Sequence, residues 1–331
     1  MKDFDIPDID PAWLTSTLTA LGYTYDHAEP LRVEASHRRF YRIHTPTQPL
    51  ILMLSPPALE ANDRFVNLAE AFAAAGVGVP RMLARAPDND CFVMTDLGQT
   101  HLADVYDTAA ESAAVEKAID HLAVIAPVQH PDIELYTTDR LQMELNIFEE
   151  WFAQEYLSGA GPVALANQQQ LIDAIQLQPK CCAHRDYHSR NLLCADDRLG
   201  VVDFQDALHG PLLYDVASLL RDCYHVFSEE KIERWLKRFL DLPHAQTFAQ
   251  QHAFQEIQRM FDFTALQRQL KAIGIFARLS LRDDKHAHLP HIEPNLARAA
   301  ALAGQYPELR PLHTQLNDCI TEYGAEDKGD R

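Results

Sequence analysis

No stretch of this 331-residue chain reaches the roughly 20 unbroken apolar residues that a membrane-spanning helix needs. Its first residues are acidic and lack the basic-then-apolar order of a secretory leader, so neither anchor nor leader is expected. Positive charge is scarce. Lys and Arg number 29 against 48 Asp and Glu, and the resulting net charge of −19 excludes the basic surface that nucleic acid or an anionic membrane requires. A nucleotide ligand remains compatible with that charge, because a metal ion and a few local arginines can offset phosphate. Cysteine is sparse and irregular: Cys91, Cys181, Cys182, Cys194, Cys223 and Cys319 contain no Cys-x-x-Cys pair, and adjacent Cys181 and Cys182 cannot easily bridge each other. Buried, reduced thiols in a cytoplasmic protein are the expectation. Internal repeats and low-complexity segments are absent as well.

What is present is the composition of an ordinary globular protein, 47% hydrophobic and 23% charged, in a chain too long for one usual core. Two lobes are expected, in an α+β, bilobal arrangement. The small N-terminal lobe (1–97) carries a mixed, antiparallel sheet plus a helix, and the larger lobe (98–331) is mainly helical. The pattern predicts a helix over 11–21, with Asp10 as N-cap and Pro11 in the first turn. Strands are predicted at 31–35, 40–44 and 50–54, then a helix over 62–75 with Phe65, Leu68, Ala69 and Phe72 on one face. Strands at 79–83 and 91–95 complete the sheet. Asp96-Leu97-Gly98 reads as a hinge whose backbone could meet an adenine edge; a strand-to-helix connection without any ligand would look the same. Helices follow at 109–126, 139–157, 168–177, from Asp215 onward, 229–240, 247–274 and 295–305, and the charged segment 322–331 is expected to fray.

The chemistry concentrates between Cys181 and Asp206. His184-Arg185-Asp186 is followed by Asn191, five residues after the aspartate, then by a predicted hairpin (192–195, turn 196–198, 199–202) that ends on Asp203-Phe204. A hairpin brings its ends together, so Asn191 and Asp203 should sit side by side, with Asp186 on the loop just before them. Oxygen ligands of this type suit magnesium, while a separate carboxylate receives the proton of an attacking hydroxyl. The spacing matches a kinase catalytic loop and metal-binding aspartate, with Asp186 as base, Asn191 and Asp203 as metal ligands, and Phe204 packed beneath. A polar loop beside a buried hairpin is the plain alternative.

With these segments, Ser36-His-Arg-Arg-Phe-Tyr-Arg42, Tyr214-Asp-Val-Ala-Ser-Leu-Leu-Arg-Asp222 and Gly274-Ile-Phe-Ala-Arg278, the chain resembles the aminoglycoside phosphotransferase family. The likeness is strongest to a subgroup acting on the anomeric hydroxyl of N-acetylmuramate and N-acetylglucosamine. The resemblance implies a phosphotransferase that uses ATP and Mg²⁺ to form a sugar 1-phosphate, which would feed peptidoglycan recycling in the cytoplasm. Its partners would be ATP and a small amino sugar, with no nucleic acid and no membrane. Oligomeric state stays open, a monomer being consistent with the sequence. Another small-molecule acceptor, such as an aminoglycoside or a choline-like alcohol, and a nucleotide-binding pseudokinase are the competing readings.

Two departures from the kinase pattern stand out. Met53 occupies the strand position where a phosphate-pairing lysine is expected, and Ser36-His37-Arg38-Arg39 stands in place of a Gly-rich loop. Arg38 or Arg39, with Ser36 and backbone amides, could replace the missing charge. Glu70, the would-be partner of that lysine, then becomes a surface or arginine-paired acid. In the acceptor region His188, Asp206, Arg221, Asp222 and Tyr224 are the candidates. Each also has a structural reading: a loop-shaping ring for His188, a turn cap for Asp206, an ion pair for Arg221. Arg221 is attractive because muramate carries a carboxylate that a guanidinium can grip. Arg185 is expected to pair with a carboxylate, and Asp215 to accept from backbone amides of the loop. His286, His288 and His291 read more as a solvated loop than as a metal site, and Trp151 as packing.

Overall fold

The computed structural model describes residues 6, 8–31, 37–88, 90–157, 164–195 and 198–326, the side chains of 325 and 326 excepted. In chain order the elements are α1 (Pro11–Ala20), β1 (His27–Leu31), β2 (Arg39–His44), β3 (Leu50–Leu54), α2 (Asn62–Ala74), β4 (Met82–Arg85) and β5 (Cys91–Thr95). They continue as α3 (Glu111–Ile125), α4 (Thr138–Ile147), α5 (Gln168–Gln176), β6 (Lys180–Ala183), β7 (Leu192–Ala195), β8 (Arg198–Val201) and β9 (Leu208–Pro211). The rest is helical: α6 (Tyr214–Leu220), α7 (Glu229–Leu240), α8 (Gln246–Gln251), α9 (Phe254–Asp283), α10 (Ile292–Ala303) and α11 (Arg310–Glu326). No helix among the described residues is long and apolar enough to cross a membrane.

The chain packs as two compact units: Met1–Asp132 with Arg190–Asp206, and Ile133–Ser189 with Ala207–Arg331. This division is drawn differently from lobes of 1–97 and 98–331. The β7–β8 hairpin joins the first unit because Cys194 N donates to Thr100 O (2.7 Å) and Val201 N to Gly78 O (2.7 Å). Gly78 is required there, since a Cβ would lie 2.3 Å from the Leu199 carbonyl oxygen.

In the first unit, the antiparallel sheet has the order β1-β2-β3-β5-β4. Every residue of β3 is buried, which explains its continuous apolar run. Leu50, Leu52 and Leu54 join Leu14 and Leu18 of α1 in one core, while Ile51 and Met53 alternate to the opposite face. Asp10 caps α1 as expected, accepting from Ala12 N at 2.9 Å. β1 pairs His27–Leu31 with β2, and residues 32–35 of the strand expected at 31–35 lie outside the described residues. α2 buries the predicted face, and Phe204 packs on its Phe65 and Phe72 (ring centroids 5.2 and 5.7 Å).

The second unit is built around α9, which packs against α4, α5, α6 and α10. The helix predicted as 247–274 is two helices, because Ala253 restarts the chain in an extended conformation and Glu256 accepts from its backbone N–H. α4 runs on into a π-helical segment, Phe148–Tyr156. Gly274 of α9 passes so close that a Cβ would meet the Ile147 carbonyl oxygen at 2.5 Å. The expected fraying over 322–331 is corrected in part: α11 continues to Glu326, with Leu312, Leu316 and Cys319 buried, and 327–331 lie outside the described residues.

Candidate active site

In the second unit the loop carrying Asp186 leaves β6, which is paired antiparallel with β9. Two buried aspartates fix the loop. Asp215 accepts from the backbone N–H of His184 (2.7 Å) and of Arg185 (2.9 Å), as the sequence suggests. Asp222 accepts from Ser189 N (3.0 Å) and, on its other oxygen, from Tyr224 N (2.9 Å). Asp222 is 1% exposed, so its carboxylate anchors the loop. Arg185 is held at φ +77, a left-handed conformation costly for a residue with a Cβ. Its guanidinium pairs with Glu144 of α4 and lies over the Tyr136 ring at 5.2 Å.

Burial opposes ionisation of Asp186, but Lys271, Arg185, His188 and Arg268 outweigh it and hold its carboxyl well below the usual range. Glu144 behaves alike. Burial would raise it, whereas Lys271 (3.6 Å), Arg185 and hydrogen bonds from Tyr136 and Gln267 keep it ionised. The Asp186 side chain is thus an anion ringed by cations, two of which are themselves balanced by Glu144. Sequence reasoning missed Glu144, Arg268 and Lys271. The only signal available was charge on helix positions otherwise occupied by buried residues, such as Glu144 between Leu141 and Leu145.

The acceptor candidates separate. Arg221 is committed to two carboxylates, Glu229 (2.6 and 2.9 Å) and Asp262 (2.9 Å), which is the ion-pair reading of that residue with partners other than Asp222. His188 meets the Tyr224 ring edge-on at 5.5 Å, and Tyr224 lies 4.9 Å from His291. The solvated-loop reading of the histidines fails for His288, which is buried and stacked on Phe276 at 5.0 Å.

In the first unit the β7–β8 ladder is registered Leu192 to Val201, and Val202 N donates to Asn191 O (3.1 Å). This closes the open end of the hairpin and leaves Asn191 next to Asp203. Asp203 is exposed at φ +66, and its Oδ1 accepts from Gln205 Nε2 (2.8 Å). Asp206, also exposed, ends the short 3-10 turn Phe204–Asp206. Arg64 Nε donates to Gln205 O (2.8 Å) and fixes that turn.

Arg38 and Arg39 have different fates. Arg38 is 4% exposed, donates from Nε to Ser55 Oγ (3.1 Å), pairs with Glu60 (3.3 Å) and lies over Phe65 at 4.9 Å. Burial lowers its pKa, while the negative charges of Glu60, Asp203 and Asp206 oppose that shift. Arg39 is half-exposed and pairs with Asp8 (2.6 Å). Glu70 is exposed; Glu60 takes the arginine instead. Ser36 lies outside the described residues. The Asp96 carboxylate accepts from Arg42 Nε (2.6 Å) and Gly98 N (2.9 Å), which leaves only backbone groups for an adenine edge. Leu97 packs over Gly200, where a Cβ would approach its side chain to 3.1 Å.

The profile of the phosphotransferase enzyme family matches residues 27–256. A Pseudomonas aeruginosa protein named N-acetylmuramate/N-acetylglucosamine kinase is 32% identical over 313 residues, covering 91% of this chain and 93% of its own length. A like-named Pseudomonas putida protein is 31% identical over 299 residues, covering 88% of this chain and 87% of its own. Among solved structures, choline kinase from Streptococcus pneumoniae has a TM-score of 0.60 at 12% identity, covering 89% of this chain and 99% of that one. A spectinomycin phosphotransferase in complex with ADP and spectinomycin has a TM-score of 0.59 at 10% identity, covering 86% of this chain and 93% of that one. At these identities the structural likeness speaks for the bilobal kinase-like fold.

Proposed function

From the premise that the chain belongs to the phosphotransferase enzyme family, we propose that it transfers the γ-phosphoryl group of ATP to the anomeric hydroxyl of N-acetylmuramate and N-acetylglucosamine. The acceptor class rests on the relatives that carry those sugars in their names over nine-tenths of the chain. The reaction type rests on one observation: Asp186 is kept anionic on a loop pinned by two buried aspartates.

In this reading Asp186 accepts a hydrogen bond from the sugar hydroxyl, aims its oxygen at the γ-phosphorus and takes the proton as the bond forms. A carboxylate this acidic is a weak base, so its main contribution is orientation; the proton leaves late in a loose phosphoryl-transfer transition state. Asn191 and Asp203 are hard oxygen donors side by side at the open end of the hairpin, a set that fits Mg²⁺. That ion, when bound, neutralises charge on the phosphate oxygens. Arg38 supplies the charge that Met53 lacks and is itself braced by Glu60 and Ser55. Asp186 and Asn191 are five residues apart, at most ~18 Å of extended chain, so covalent connection alone limits how far the base can lie from that metal-ligand candidate. The 1–97 segment is assigned to nucleotide and 98–331 to catalysis and sugar, in the cytoplasm, with the sugar 1-phosphate returned to wall synthesis.

ADP release measured with each amino sugar and with its methyl 1-glycoside tests this. Turnover with the free sugars and none with the blocked ones is expected. Equal turnover of the glycosides would place transfer at another hydroxyl, and turnover only with choline-like or aminoglycoside acceptors would overturn the acceptor class.

A further inference from the structure

Arg268, on α9, is 6% exposed, and its Nε and Nη1 have no hydrogen-bond partner among the described residues. The neighbouring cations are already compensated. Arg185 and Lys271 share Glu144, and Arg221 lies between Glu229 and Asp262. Asp222 spends both carboxylate oxygens on the backbone N–H groups of Ser189 and Tyr224. Tyr214, whose ring lies 5.6 Å from the guanidinium, offers only a weak cation–π contact. A guanidinium removed from water without a hydrogen-bonded anion is costly, and a buried donor left unpaired in a protein calls for an explanation.

Its position supplies one. Arg268 and Lys271 are three residues apart and share a face of α9. Tyr214 immediately precedes Asp215, which holds the amides of His184 and Arg185. Arg268 therefore stands beside the loop that bears Asp186, and its charge helps to keep that carboxylate ionised. The role that the sequence suggested for Arg221 is open to Arg268 instead.

We propose that Arg268 is a specificity-determining residue that donates its unpartnered N–H groups to the carboxylate of an anionic amino-sugar acceptor. The inference rests on the amino-sugar reading above. A neutral amino sugar occupies the same place without that contact, so Arg268 sets the preference between the two rather than the capacity to react. Because it also acts on Asp186, its loss slows both substrates, and the informative quantity is the ratio of their kcat/KM values.

The test compares N-acetylmuramate, its methyl ester and N-acetylglucosamine on the wild-type protein and on Arg268→Gln and Arg268→Lys. Arg268→Gln should lower the muramate-to-glucosamine ratio about 10- to 100-fold, the range for a hydrogen bond to a charged group, and Arg268→Lys should recover part of it. On the wild-type protein the methyl ester should lose a similar factor against the free acid, a comparison that stands even where a variant fails to fold. A ratio unchanged by Arg268→Gln, or an ester used as well as the acid, overturns the proposal. Wild-type protein inactive on both sugars overturns the acceptor reading itself and this inference with it.

Discussion

Asp186 is a carboxylate that burial pushes toward protonation and four neighbouring cationic groups pull the other way. The sign of that balance has a measurable consequence. A depressed folded-state pKa means that the ion contributes stability above the unfolded value near 3.9, and that this stability is lost as pH falls through the lower folded value. The ¹³C carboxyl resonance of Asp186 should therefore show no titration step above about pH 4; a step nearer neutrality would contradict the cation ring. The two arginines at the start of β2 separate just as sharply. Arg38→Ala should raise the KM for ATP about tenfold or more, since a buried charged contact is lost, whereas Arg39→Ala, paired with Asp8 on the surface, should change it less than about twofold. Initial rates across ATP concentrations check both. At this scale the sequence pointed to Asp186, Asn191 and Asp203 as candidates, because one short segment carries all three at recognisable spacings. It did not disclose Glu144, Arg268 or Lys271, which reach the loop from helices more than 40 residues away in either direction and belong to no motif.

Elements were legible wherever periodicity and punctuation agreed. α7 has Ser228 as N-cap, acidic residues in its first turn and Lys237 and Arg238 in its last, and it spans the predicted residues. The long helix over 247–274 was misread because the break at His252 and Ala253 contains neither Gly nor Pro; a backbone capping bond makes it. α11 went unrecognised beneath its polar residues, although Leu312, Leu316 and Cys319 keep helical spacing. Close packing at Gly274 also has no signature in one sequence. Its consequence is that Gly274→Ala should destabilise the protein by roughly 1–3 kcal/mol, the usual cost of overpacking, even though alanine favours helices. Urea unfolding with an unchanged midpoint would contradict the close approach to Ile147.

For the whole molecule, composition pointed to a globular chain of two parts, but the packing units are discontinuous. The first unit is assembled from Met1–Asp132 and Arg190–Asp206, so the hairpin that carries Asn191 and Asp203 depends on residues far ahead of it. In a fragment of residues 98–331 the β7–β8 hairpin should consequently lose its order, because Val201 N is left without the Gly78 carbonyl that accepts from it. Hydrogen exchange at the Val201 amide of that fragment as slow as in the full chain would contradict this dependence.

The central claim is that Asp186 directs phosphoryl transfer to an amino sugar. Its most direct test is ADP release by Asp186→Asn with N-acetylmuramate, measured beside ATP binding by the same protein. The account predicts transfer reduced by roughly a thousandfold or more with ATP affinity within a few-fold of the wild type. Transfer within tenfold of the wild-type rate would contradict it.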